Sequence, residues 1–337
     1  MGNVKLSVCI VALNEEEYLP NLLKDISNQI YPHELMEIVL VDSGSSDDTK
    51  RIMKKFRTEA TDFYDVQILD NPIGNQAAGW NVAIKGSVGD IISRIDAHAK
   101  LPSNFFSLVM EEIQSGEDIV GGKRPCIMKD NTRWGKALLA TENSFFGSSI
   151  NTSRRSETKQ YVKTMFHASY RRKVFKEVGL FNEKLLRTED NEIHYRMRKA
   201  GYKLYYNPRI ISYQYARSSL KFMLIQKYKN GFWIGITIGV CPRCISILNL
   251  VPSVFVLGIV FTTAIALMGL WQFAAIMWGL YITFCIVNTV ICIVKNPIMP
   301  TMLFMPFLFL FLHVFYGTGT IVGLINMPFK RRALINK

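Results

Sequence analysis

From Phe232 to Phe329 the chain carries only two charged residues, Arg243 and Lys295. Ordinary soluble-type sequence precedes this stretch, and uncharged sequence of such length is rarely only a protein core. Crossing a bilayer core takes roughly 20 apolar residues. Ile245–Leu270 and Trp271–Val294 are each long enough, and so is Met299–Met327. In the last, Pro300, Pro306, Gly317, Gly319 and Gly323 predict a kinked or re-entrant segment. A multi-pass membrane region with two or three helical segments is therefore expected over 245–329, followed by a basic tail over 330–337. Three crossings would put Lys330-Arg331-Arg332 outside, against the positive-inside tendency; two crossings with an interfacial third segment keep the tail in the cytosol.

Before the apolar region, Leu6–Leu13 runs directly into Asn14-Glu15-Glu16-Glu17 without a small-residue cleavage site, so no signal peptide is read and a cytosolic domain over 1–217 is expected. The six cysteines include one isolated CxxC, Cys241 to Cys244, better suited to a membrane-edge loop than to a zinc or disulfide framework. The net charge of +13 lies in short clusters such as Arg171-Arg172-Lys173. It accords with a diphosphate-bearing substrate and an anionic leaflet. No nucleic-acid-binding motif accompanies it, so nucleic acid is not an expected partner. Residues 218–244 read as a linker containing an amphipathic helix, Ser218–Asn230, suited to the membrane interface.

Within 1–217, apolar runs alternate with helical spacing. Strands are predicted at Leu6–Leu13, Met36–Val41, Val66–Leu69 and Asp90–Ile95, with helices at Pro20–Asn28, Asp47–Phe56 and Asn75–Lys85. Such alternation predicts an α/β fold with a mostly parallel sheet, in which ligands bind beyond the carboxyl ends of the strands. Three successive strand ends there are polar: Asn14-Glu15, Asp42-Ser43 and Asp96-Ala97-His98. Gly74 to Gly79 lacks the GxGxxG spacing and no P-loop occurs, so a glycine-rich loop does not hold the phosphates. Asp96 and His98, two residues apart on extended chain, read either as a divalent-metal site or as a polar strand end. Further on, a helix over Trp134–Phe146, a polar loop over Gly147–Gln160 and a strand over Thr164–Tyr170 are expected. Thr188-Glu189-Asp190 opens a helix to about Lys199. There Asp190 reads either as a helix-start carboxylate or as a general base.

The stretches SVCIVALNEE, IVLVDSGSSDDT, GDIISRIDAH and RTEDNEIHYRMRKAGYKLYYNP, in that order, resemble the family 2 glycosyltransferases of GT-A fold over about Val4 to Trp233. RIDAHA is similar to the membrane-anchored ExoA-like subgroup of succinoglycan biosynthesis. The resemblance implies that Asn14, Glu15, Asp42 and Ser43 hold the nucleotide of a UDP-sugar. Asp96 and His98 match the motif that sets a divalent cation, Mn2+ or Mg2+, on the diphosphate. Asp190 matches the catalytic base, with Glu189 and His167 on the acceptor side.

The implied reaction is an inverting, metal-dependent hexosyl transfer to a polyprenyl-diphosphate-linked saccharide, at the plasma membrane, in exopolysaccharide, capsule or other cell-surface glycan assembly. Two alternatives are a polyprenyl-phosphate glycosyltransferase, whose phosphate acceptor needs no strong base, and a non-catalytic membrane scaffold. Three features depart from the family pattern. His98 stands where an Asp is usual, Trp80 stands where many members carry a basic residue, and Gln226 to Trp233 matches the QxxRW of processive members only loosely. The last favours single-sugar transfer.

Overall fold

The computed structural model describes residues 5–128, 132–147, 156–216, 219–295 and 300–335. The chain forms two compact units, one of residues 1–125 and 152–215, the other of 126–151 and 216–337. Most of the expected polar loop over 147–160 lies outside the described residues.

The first unit is an α/β layer structure. In chain order it contains β1 (Leu6–Ala12), α1 (Leu19–Ser27), β2 (Met36–Asp42), α2 (Thr49–Glu59), β3 (Asp65–Asp70), α3 (Gln76–Gly86), β4 (Ile91–Asp96), β5 (Ala99–Lys100), α4 (Phe105–Gln114) and β6 (Ile119–Lys123). After β7 (Cys126–Ile127) and α5 (Arg133–Asn143), which belong to the second unit, come β8 (Gln160–Val162), β9 (Ser169–Arg171), α6 (Arg172–Val178), α7 (Glu189–Lys199), β10 (Leu204–Ile211) and β11 (Tyr213–Tyr215).

Eight strands make one sheet in the order β3-β2-β1-β4-β9-β6-β10-β8. The first four are parallel, as are β6 and β10; β9 and β8 run antiparallel to their neighbours. Strand alternation sorts side chains onto two faces. Val8, Ile10, Ile91 and Ile95 pack under α1, α2 and α4. Cys9, Ile92 and Tyr170 pack under α3, α6 and α7 with Trp80, Phe175 and Ile193. The four parallel strands end in register, with Ala12 opposite Asp42, Asp42 opposite Asp70, and Val11 opposite Asp96. The polar groups that close these buried strands therefore stand along one edge.

The strand expected over Thr164–Tyr170 shrinks to Ser169–Arg171. His167 adopts φ 45°, a left-handed conformation that ends extended pairing. Helix α4 and strands β6 and β10 were not read from sequence; β10 holds Pro208 and shifts register between Asn207 and Ile211, which breaks its alternation.

The second unit joins β7 and α5 to α8 (Leu220–Ile238), α9 (Val251–Leu267), α10 (Trp271–Lys295) and α11 (Met305–Ile335). Three helical segments, Ile247–Leu267, Trp271–Val294 and Pro300–Lys330, are long and apolar enough to cross a membrane. The glycines expected to kink the third segment lie instead in a continuous helix, where they let backbones approach. A Cβ at Gly319 would lie 2.2 Å from Tyr228 O, and one at Gly323 2.2 Å from Phe232 O. Facing them on α8, a Cβ at Gly231 would lie 2.0 Å from Tyr316 O. Helix α8 thus runs on to Ile238, past the expected end at Asn230, because its glycine-bearing half packs on α11. Inside this unit His313 Nε2 donates to Phe146 O at 2.7 Å, and its Nδ1 accepts from Tyr281 at 2.9 Å. Lys227 Nζ reaches Glu142 Oε1 at 2.9 Å.

Candidate active site

At the carboxyl edge of the parallel strands, the loops after β1 and β2 are laced together. Asn14, at φ 55°, accepts from Ser46 N through Oδ1 at 2.8 Å and donates its own N–H to Ser45 Oγ at 3.0 Å. Glu15 N donates to Thr49 Oγ1 at 2.8 Å. Asp42 is buried, and its Oδ1 accepts from Ser45 N at 3.1 Å across Gly44, whose φ of 85° suits a residue without Cβ. Ser43 Oγ accepts from Asn71 Nδ2 at 2.9 Å. The four residues expected on the nucleotide therefore lie in one rigid double loop.

Strand β4 ends at Asp96 and the chain turns through Ala97 and His98. The extended-chain argument for a shared side stops there, and the two residues take different partners. Asp96 Oδ2 lies 3.1 Å from His167 Nε2 and accepts from Arg124 Nη1 at 3.4 Å, while Oδ1 accepts from Gln76 Nε2 at 3.2 Å. Burial alone would raise the Asp96 carboxyl, but His167, His98 and Arg124 together hold it well below the usual carboxylate range. His98 Nδ1 pairs with Glu15 Oε1 at 2.9 Å, joining the first and third polar strand ends directly. His167 Nδ1 bonds Ser212 Oγ at 2.8 Å, and burial pushes its imidazole below the ordinary range, against the pull of Asp96. Among the described residues no three His, Cys, Asp or Glu side chains form a metal-ligand group.

Helix α7 begins at Glu189, with Glu189, Asp190 and Glu192 in its first turn, where carboxylates complement the helix dipole. Thr188 occupies the N-cap position but makes no side-chain capping bond. Asp190 keeps 19% of its side chain exposed, and its Oδ1 accepts from Arg94 Nη1 at 2.6 Å. Glu189 is buried, and no hydrogen bond reaches its Oε2. Burial first, and then the adjacent Asp190, push the Glu189 carboxyl upward.

Sequence reasoning missed Arg94, although it stands two residues before Asp96 on β4 and so on the same face. Its guanidinium lies 4.6 Å from the Trp80 ring and 4.5 Å from the Phe181 ring. Behind it, Tyr170 OH bonds His194 Nε2 at 2.8 Å. His194 is four positions after Asp190, on the same helix face, which spacing alone would reveal. Arg124 carried no local signal.

An α/β layer with a mostly parallel sheet and polar groups gathered at its carboxyl edge is the GT-A-like fold of a glycosyltransferase. The chain belongs to glycosyl transferase family 2, whose sequence model matches residues 7–179. It is 28% identical over 331 residues to the dolichyl N-acetyl-alpha-D-glucosaminyl phosphate 3-beta-D-2,3-diacetamido-2,3-dideoxy-beta-D-glucuronosyltransferase of Methanococcus voltae, covering 96% of this chain and 99% of that one. It is also 28% identical over 227 residues to the succinoglycan biosynthesis protein ExoA of Rhizobium meliloti, over 66% of this chain and 67% of that one. Among solved structures, the mannosyltransferase PcManGT from Pyrobaculum calidifontis in complex with GDP-Man and Mn2+ superposes with a TM-score of 0.63 at 15% identity. The match covers 97% of this chain and 88% of that one, and at this identity it speaks for the fold alone.

Proposed function

We propose that the chain transfers a sugar from a UDP-sugar to a polyprenyl-diphosphate-linked saccharide, with inversion, in the assembly of a cell-surface glycan. One observation carries this reading. The same face of β4 presents Arg94, which holds the Asp190 carboxylate, and Asp96, which closes the strand. A base for an acceptor hydroxyl and a group for the donor diphosphate are thus fixed by one rigid strand. The Methanococcus voltae relative supports a lipid-linked sugar as acceptor, since its name specifies a dolichyl-phosphate-linked sugar and it matches along nearly its whole length.

In this reading Asn14, Glu15, Asp42 and Ser43 hold the nucleoside, and Asp190 takes the proton of the acceptor hydroxyl as that oxygen attacks the anomeric carbon. Asp96, held ionised, offers a hard oxygen that suits Mn2+ or Mg2+ when substrate phosphates complete the shell. Such a cation would neutralise charge on the departing diphosphate. His98 Nδ1 is engaged by Glu15, so the imidazole braces the nucleotide loop against the diphosphate end. Glu189 flanks the acceptor side, whereas His167, expected there from the resemblance, stands against Asp96 at the diphosphate end. The catalytic unit faces the cytosol, where nucleotide sugars are made, and the apolar helices bring it to a lipid acceptor in the plasma membrane.

The test is a membrane-fraction assay with labelled UDP- and GDP-sugars. Each is offered undecaprenyl-diphosphate saccharides or bare undecaprenyl phosphate, with Mn2+, Mg2+ or EDTA. Transfer to the saccharide, lost with EDTA and in Asp190→Asn, is the expected result. Transfer only to bare undecaprenyl phosphate, with Asp190→Asn active, would replace this reading by polyprenyl-phosphate glycosylation.

A further inference from the structure

We infer that Arg94 is the positioning residue of the catalytic carboxylate, anchoring Asp190 Oδ1 from inside the sheet so that Oδ2 remains to accept the acceptor's proton. The inference rests on Asp190 being the base, as proposed above. Arg94 is 5% exposed, and among the described residues its hydrogen bonds go to Asp190 Oδ1 at 2.6 Å and to Tyr170 OH at 3.5 Å. No hydrogen bond reaches its Nε. Packing does not require this residue. A slot between the rings of Trp80 and Phe181 would take methionine, and burying a guanidinium costs more than burying an apolar chain of similar size. What methionine cannot supply is a charged donor aimed at Asp190.

The geometry fits a brace. Arg94 reaches Asp190 from β4, so the base is tied to the sheet as well as to the first turn of its own helix. Trp80 and Phe181 limit the guanidinium's swing, and the Tyr170–His194 bond fixes the hydroxyl beside it. A carboxylate with one oxygen pinned has lost most of its rotation, which is what alignment with an acceptor hydroxyl needs. Because Arg94 and Asp96 occupy one face of β4, the brace also sets the spacing between the base and the diphosphate end.

The experiment uses the full-length chain in membranes, with the UDP-sugar and undecaprenyl-diphosphate saccharide that turn over in the panel above. Arg94→Met is expected to lower kcat by roughly 10- to 100-fold, with both KM values within about threefold of wild type. Arg94→Lys should recover part of that loss. In the Asp190→Asn background Arg94→Met should add nothing, because no basic oxygen is then left for the brace to align. The inference is overturned by unchanged kcat, by a loss confined to KM, by a loss that multiplies with that of Asp190→Asn, or by failure of both Arg94 variants to fold. Full activity of Asp190→Asn would remove the base itself and the proposed reaction with it. Full activity of Arg94→Met beside an inactive Asp190→Asn would remove only the brace.

Discussion

His98 and Glu15 hold each other across the nucleotide end of the site, 2.9 Å apart. His98→Asp replaces the hydrogen-bonding partner of Glu15 with a like charge, so the double loop should loosen there and nucleotide affinity should fall about 3- to 10-fold. If the imidazole also bears on a bound cation, the same variant shifts the Mn2+-to-Mg2+ activity ratio toward Mg2+, because oxygen replaces nitrogen. Isothermal titration with UDP, alongside the metal panel, separates the two effects; unchanged UDP affinity would refute the bracing role. Glu189 gives a second prediction at this scale. Its carboxyl is pushed up in the folded chain, by burial first and by Asp190 next, so folding favours its neutral form. Stability from this group is therefore fully present below the ordinary carboxylate range, and is lost as pH rises through the raised folded value. Glu189→Gln, which cannot ionise, should flatten that decline in thermal melts run from acidic to alkaline pH. A decline as steep as wild type would assign it to other groups. The positions of Asp96 and Asp190 were legible because one closes a strand and the other lies in the first turn of a helix; the partner of His98 was not, because the chain turns after Asp96. Arg94 and Arg124 were not, since an arginine's reach makes its partner a matter of tertiary geometry.

Among the elements, the four parallel strands and their helices were legible to within a few residues, because buried strands read as continuous apolar runs. In the later part helices α5 and α7 were legible too, but the strands were not. A bulged β10, a left-handed His167 and three-residue strands β8 and β9 carry too little periodicity to be read. Glycine misled in the other direction. In the third apolar segment it predicted a kink, whereas α8 and α11 use it for contact between backbones. Introducing a side chain there tests this. Gly323→Leu places its Cβ 2.2 Å from Phe232 O, against backbone that cannot yield by rotamer change. A destabilisation of about 1–3 kcal/mol is expected from such overpacking, read as a lower melting temperature in detergent. Gly279→Leu, with nothing within 4 Å of its Cβ, is the matched control and should melt like wild type. Equal melting of the two variants would rule out the glycine contact.

At the scale of the whole molecule, the division between the compact units does not follow a single cut in the chain. Residues 126–151 leave the α/β unit in mid-sequence and join the apolar one, where Leu138 of α5 is buried with Met223, Leu308 and Leu312. The sequence could not display this, since α5 is only 11 residues long and looks like any helix of a soluble domain. A chain ending at residue 217 would keep every element of the α/β sheet and every residue named in the active site, yet it would strip α5 of those three partners. Uncovered apolar surface of this kind drives association. The truncated chain is therefore expected to elute as soluble aggregate, or to need detergent, while still binding UDP. Adding Leu138→Gln to the same truncation should shift the population toward monomer, because the side chain that lost its cover is now polar. Size-exclusion chromatography with light scattering reads both outcomes. A truncated chain that is monomeric without detergent and unaffected by Leu138→Gln would show that α5 needs no cover from the apolar helices. The middle segment would then be a passenger of the membrane unit rather than a part of its core.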